Sequence, residues 1–430
     1  MTGRFRSAPV VALVVGSAMS LAGCLNDSEI DEDDIVVFGP YRTVEADRFV
    51  ESLEVFTDTT GIDVRYTGSS NFVSDLAERI ENNGATPDVV VVPQPGLVQS
   101  MVDGGEVVPL DAAARDALRA NYEPDIADAA IFDGQDSAVP YRRSLKSIVW
   151  FRPDVFEAEG WEVPRTLDEL ESLAEAIVAS DRDIAPWCFS LQAGDQSGWA
   201  ATDWVEDIVV RRSGVDVYED WAAGRIGFAD SRIEAAFTEF QELVLAPGRV
   251  AGRLTAVVAT PVELAWEPLL ATEPGCAMYK QADFALNWMP SLDVGPDGGI
   301  DWFALPDVDE SEPPLLIGGD LIVALDDRPD VAELMEFLAG VAAGESWVEE
   351  GGFISAKSSI AVGAYPDPER QFIETLADAP AQVFDASDQM PPEIGSDLLW
   401  DEITGWVTGS SSYDDFAETM DTARDAHDAG

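Results

Sequence analysis

From Asp34 onward, short apolar runs alternate with stretches of helical spacing, the pattern of an α/β protein. Asp34-Ile35-Val36-Val37-Phe38 predicts a buried strand that stops at Gly39-Pro40. Phe49, Leu53 and Phe56 then share one face of a helix expected from about Val44 to Thr57. Gly61 to Tyr66 alternates as a strand does, and Phe72, Leu76 and Ile80 give helical spacing from Asn71 to Asn82. Pro87-Asp88-Val89-Val90-Val91-Val92 is a second fully apolar strand, ended by Pro93. This β-α-β-α-β order predicts a largely parallel sheet with ligand loops at the strands' carboxyl ends. Those loops are Pro40-Tyr41-Arg42, Gly68-Ser69-Ser70-Asn71 and Pro93-Gln94-Pro95.

Further on, Val139 to Phe151 has the extended pattern of a crossover into a second lobe. A helix-rich region follows from Leu167 through Val244, with Asp168–Ser180 amphipathic and Asp203–Arg211 helical in character. Gly275 to Trp288 is expected as a strand-like run, as are Ile300–Phe303 and Leu321–Leu325. Helices are expected at Val331–Ala339 and Gly344–Glu350. The division that results is residues 35–142 as the first part of lobe 1 and 143–295 as the first part of lobe 2. Residues 296–343 return to lobe 1, and 344–430 form C-terminal helices of lobe 2.

The amino terminus changes the picture. Arg4 and Arg6 precede an apolar run from Ala8 to Leu21, the length of a signal-peptide core and too short to span a bilayer comfortably. The run ends in Leu21-Ala22-Gly23-Cys24, a lipobox-like pattern in which Cys24 is expected to carry a lipid. Residues 1–23 are therefore expected to be removed, and the acidic stretch 24–34 to act as a tether. Two cysteines remain, Cys188 and Cys276, and an even pair outside the cytoplasm usually means a disulfide.

Charge and chemistry exclude several classes. The 430 residues carry 82 acidic against 25 basic side chains, a net charge of −57 that repels nucleic acid and anionic lipid headgroups. High-GC codon usage and a salty habitat each account for this acidity, and neither names a function. His427 is the only histidine, so Ser-His-Asp, Cys-His and His-rich metal chemistry lack their usual base or ligand. No metal and no cofactor is expected.

An ordered set of short motifs runs through the mature chain. It comprises Pro87-Asp88 with Pro93-Gln94-Pro95-Gly96-Leu97, Ser144-Leu145-Lys146-Ser147, Ala185-Pro186-Trp187-Cys188, Gly198-Trp199 and Thr202-Asp203-Trp204-Val205-Glu206-Asp207. Gly318-Gly319-Asp320, Gly351-Gly352-Phe353-Ile354-Ser355 and Phe384-Asp385-Ala386-Ser387-Asp388 complete it. In this the chain resembles the extracellular solute-binding proteins of sugar ABC importers, family 1, and especially their alpha-glucoside-binding branch. The resemblance implies a bilobed periplasmic-binding-protein-like fold of type II, two α/β lobes joined by a hinge. It also implies a monomer that closes on a carbohydrate and delivers it to permease subunits in the membrane. Cys188 and Cys276 match the family's cysteine pair. The expected location is the outer face of the cytoplasmic membrane, through the lipid anchor, or the periplasm.

Sugar recognition needs aromatic faces for the C–H side of a pyranose and polar groups for its hydroxyls. By analogy with maltose-binding relatives, Trp199 and Trp400 stand where aromatic platforms are expected. Tyr41, Gln94, Arg143, Asp203, Gln281 and Asp320 complete the candidate ligand set, Asp320 because Gly318-Gly319 lets a ligand approach the backbone closely. Asp203 has a second reading as a helix cap, and each tryptophan a second reading as core. Two other functions compete. One is a secreted glycosidase using paired carboxylates, for which 82 acidic residues always supply a pair. The other is a receptor for a polyol, amino sugar or compatible solute.

Overall fold

The computed structural model describes residues 34–81, 86–180 and 182–429. The expected signal peptide, Cys24 and most of the tether lie outside them. Two large sheets organise the described residues, beside a small two-stranded one of Ile131–Phe132 and Gln135–Asp136. In the first, the order is Ile354–Ser355, Val139–Leu145, Leu315–Ala324, Val89–Val92, Ile35–Gly39, Val64–Gly68, with Gln382–Phe384 beside the start of Leu315–Ala324. Ile35–Gly39 pairs in parallel with both Val64–Gly68 and Val89–Val92, as the β-α-β-α-β pattern requires. Leu315–Ala324 runs antiparallel to Val89–Val92 and to Val139–Leu145. The second sheet has the order Asp301–Ala304, Ile148–Phe151, Cys276–Lys280, Ala185–Cys188. Cys188 and Cys276 are disulfide-bonded between its neighbouring strands, with Cα atoms 5.4 Å apart.

Each sheet has its own apolar core. Val89 to Val92 are buried in the first with Phe49, Phe56, Phe72 and Trp347. Trp187, Trp204, Ile208, Phe237 and Phe240 pack in the second with Trp406 and Phe416. The chain crosses between the two at three places: where Val139–Leu145 passes into Ile148–Phe151, along Leu315–Ala324, and between Ile354–Ser355 and the helix Asp367–Asp378. Leu315 and Leu316 lie in cores with second-sheet residues, whereas Leu321 to Ala324 lie in the first core, so one strand belongs to both.

Several expected boundaries move. Asp301–Ala304 pairs with Ile148–Phe151, so the stretch 296–343 begins in the second sheet and enters the first only along Leu315–Ala324. The helix Glu345–Glu350 buries Trp347 and Val348 in the first core, not among the C-terminal helices. Gly275–Trp288 is a strand only at Cys276–Lys280. Asp283–Asn287 is a 3₁₀ turn, because the Asp283 carboxylate turns inward to accept from the Leu145 amide at 2.7 Å. The helix expected at Val44–Thr57 is two, Thr43–Ser52 and Glu54–Thr60. The second ends at Gly61, whose φ of 76° is the left-handed conformation glycine adopts freely.

Candidate functional site

Between the two sheets lies a cavity of about 480 Å³. Its first-lobe wall comes from the carboxyl ends of the parallel strands. Tyr41 and Arg42 follow Ile35–Gly39, Ser69 and Ser70 follow Val64–Gly68, and Gln94 follows Val89–Val92. The opposite wall is aromatic, with Trp199, Phe284, Trp288 and Trp400. Gly318, Gly319 and Asp320 form part of the floor with Arg142, Ser144 and Lys146.

The floor is a set of paired buried charges. Arg142 Nε lies 2.7 Å from Asp320 Oδ2, and its Nη1 donates to Glu45 Oε1 at 2.8 Å. Tyr41 donates its hydroxyl to the same Asp320 oxygen at 2.6 Å. Burial and the Asp320 charge push the Tyr41 phenol well above its usual range, so it stays a donor. Burial alone would lower Arg142, but Asp320, Tyr41 and Glu45 outweigh it and keep the guanidinium charged. Lys146 sits in a cage of carboxylates. It donates to Asp203 at 3.1 Å and to Asp385, and lies 3.6 Å from Asp388. Burial pushes Asp203 up to about 7, while the Lys146 ammonium overcomes burial at Asp385 and holds it near about 2. Burial and the Asp385 charge raise Asp388 well above the usual carboxylate range.

The candidate residues divide. Tyr41, Gln94, Trp199, Asp320 and Trp400 line the cavity. Gln94 is buried, and its side-chain oxygen has no protein partner among the described residues. Arg143 does not line the cavity. Successive side chains of a strand point to opposite faces, so Arg142 takes the inner place and Arg143 donates to Gln382 at 2.5 Å on the other side. Asp203 is neither in the wall nor a cap. The helix Trp199–Ser213 begins after Gly198, and Asp203 lies in its buried first turns, where it holds Lys146 from behind. Gln281 turns back on its own chain, accepting from the Ala282 amide at 2.9 Å. Glu45, Arg142, Lys146, Glu263, Phe284, Trp288 and Asp388 line the cavity without having been singled out. Only the phase of the Val139–Leu145 strand and the long-range pairing of its charges would have revealed Arg142 and Lys146.

A two-sheet body crossed three times by the chain, with a polar and aromatic cavity between the sheets, defines a bilobed ligand receptor. Residues 43–345 match the family model described as bacterial extracellular solute-binding protein, and the chain belongs to that family. It is 32% identical over 404 residues to the osmoprotective compounds-binding protein GgtB of Synechocystis sp., covering 93% of this chain and 94% of that one. It is also 32% identical over 392 residues to the alpha-glucosides-binding periplasmic protein AglE of Rhizobium meliloti, covering 88% and 84%. Among solved structures, the bacterial solute receptor AcbH superposes with a TM-score of 0.77 at 14% identity, over 92% of this chain and 98% of that one. A chitin oligosaccharide binding protein gives 0.76 at 15%, over 93% and 100%. These likenesses establish the bilobed fold. Among the described residues no cluster of His, Cys, Asp or Glu has the arrangement to hold a metal ion, and no helix is long and apolar enough to cross a membrane.

Proposed function

We propose that this protein is the solute receptor of an ABC importer and that it takes a neutral carbohydrate of the α-glucoside type into the cavity between its lobes. One observation carries this reading: the cavity is rich in aromatic faces, and every charge on its walls already has a protein partner. Arg42 pairs with Glu263, Arg142 with Glu45 and Asp320, and Lys146 with Asp388, Asp203 and Asp385. A charged ligand would have to displace one of these pairs. A sugar needs only hydrogen bonds from paired groups and a ring face to lie against. The AglE relative supports an α-glucoside, and the GgtB relative supports a second solute class, osmoprotective compounds, which a small polyhydroxylated glycoside would satisfy equally.

Calorimetry with α-glucosides, monosaccharides, polyols and amino acids tests the reading. Saturable binding of neutral polyhydroxylated solutes, without products on prolonged incubation, is the expected result. Binding of an amino acid or a charged solute alone would overturn it, and turnover of a glycoside would favour the glycosidase. Delivery to a membrane permease and lipid attachment at Cys24 belong to the same proposal. Intact mass of membrane-extracted protein should show a chain that begins at a lipid-modified Cys24. An unmodified chain cut elsewhere would contradict the anchor.

A further inference from the structure

Two charged residues face each other across the mouth of the cavity. Arg42 follows the first strand, on the first lobe, and Glu263 lies in the 3₁₀ turn Val262–Leu264 of the second. Their side chains form an ion pair while remaining 42% and 24% exposed, so the pair sits at the rim and not in the floor.

Both sides of this pair are held. Tyr66 donates its hydroxyl to the Tyr41 carbonyl at 3.1 Å, and the Arg42 carbonyl accepts the Glu45 amide at 3.1 Å at the start of the helix Thr43–Ser52. Thr43 has φ 49°, a conformation that side chains other than glycine rarely adopt, and such backbone strain persists where the surroundings impose it. Across the gap, the Val262 amide donates to the Gln192 carbonyl at 2.8 Å, and the Trp266 indole donates to the Glu263 carbonyl at 2.7 Å.

Two further contacts join the lobes. Asp195 accepts from the Ser74 hydroxyl at 2.7 Å, and the Trp288 indole donates to Glu45 at 3.3 Å. A cavity of about 480 Å³ thus has cross-lobe contacts on several sides, toward the small end of the roughly 300–1,000 Å³ of ordinary ligand pockets.

We infer that the Arg42–Glu263 pair is a latch that sets the length of ligand the receptor closes on. A glycoside of roughly disaccharide size fits inside with the latch made. A longer chain has to pass the rim, and it does so only where the latch is broken. The differential affinity that drives closure is then full for the short ligand and reduced for the long one. This inference rests on the carbohydrate reading above.

The test is calorimetry with maltose, maltotriose and maltotetraose on the wild type, Arg42→Gln, Glu263→Gln and the charge-reversed double variant Arg42→Glu/Glu263→Arg. The wild type is expected to bind maltose at least tenfold more tightly than maltotetraose. Each single variant should weaken maltose severalfold and shrink that ratio toward one, and the charge-reversed pair should restore it. A residue that only supported the fold would lower all three affinities together and would not be rescued by reversal. An unchanged ratio in both single variants overturns the latch. Failure of the wild type to bind any of the three sugars counts against the α-glucoside reading alone. The latch is then judged by spin labels on the outer faces of the two lobes. Glu263→Gln should broaden their distance distribution toward open forms, and an unchanged distribution overturns it.

Discussion

Trp199 and Trp400 border the same cavity, yet their loss should cost different things. Trp400 is 2% exposed and donates its indole N–H to Ser387, which in turn bonds Asp385 of the lysine cage. Trp199 is half-buried at the start of its helix and offers a face to the cavity. Trp400→Ala should therefore destabilise the fold by about 3–5 kcal/mol and also weaken binding. Trp199→Ala should weaken sugar binding while lowering the urea midpoint less than Trp400→Ala does, because only part of its ring packs against the core and Phe284. Asp320→Ala removes the carboxylate that Arg142 and Tyr41 share. It should cost about 3–5 kcal/mol in a denaturation curve, because a buried guanidinium loses a partner. Asp203 makes a pH prediction. Its folded value of about 7 lies above its ordinary 3.8, so the folded chain holds the proton more tightly than the unfolded one. From this group stability falls as pH rises from 3.8 to about 7, and Asp203→Asn should flatten that slope in urea melts across the window. Asp385, held at about 2, acts in the opposite sense and is lost as a stabiliser only below 3.8.

At the scale of elements, the glycines of the Leu315–Ala324 strand explain how two charges cross the hinge. A Cβ on Gly319 would lie 2.5 Å from the Arg142 carbonyl oxygen, and one on Gly318 would lie 2.7 Å from Lys146 Cε. The first clash is with backbone and the second with a flexible side chain. Gly319→Ala should therefore cost about 1–3 kcal/mol of stability, and Gly318→Ala less, as read by chemical denaturation of both variants. The glycine pair was visible in the sequence, but the sequence suggested only close approach of a ligand, whereas its neighbours here are Lys146 and Arg142. Strands such as Val89–Val92 were legible because an unbroken apolar run bounded by proline has few other uses. The inner and outer faces of Val139–Leu145 were not, because both are largely buried and hydropathy gives no phase; Arg142, not the expected Arg143, lines the cavity. Asp203 read equally well as a cap, since its partner Lys146 is remote in sequence and adjacent only in the fold.

The whole molecule carries a charge of −57, and most of its ion pairs with both partners exposed are worth little individually. Self-repulsion of that size opposes the compact state and is screened by salt. The melting temperature should therefore rise as sodium chloride is raised from low to molar concentration. Affinity for a neutral sugar should fall no more than severalfold, as salt screens the exposed Arg42–Glu263 pair, because the floor charges are paired inside the protein. A melting temperature that falls with salt would remove repulsion as the dominant surface term. The central claim is that a neutral polyhydroxylated solute binds between the lobes, at the cavity bounded by Trp199 and Asp320. Calorimetric titration of a single α-glucoside, maltose, into wild type and Trp199→Ala tests it most directly. The account predicts one-to-one binding to the wild type that survives moderate salt and weakens at least tenfold in the variant while the fold persists. Equal affinity in the two proteins, or maltose binding that collapses in moderate salt, would contradict it.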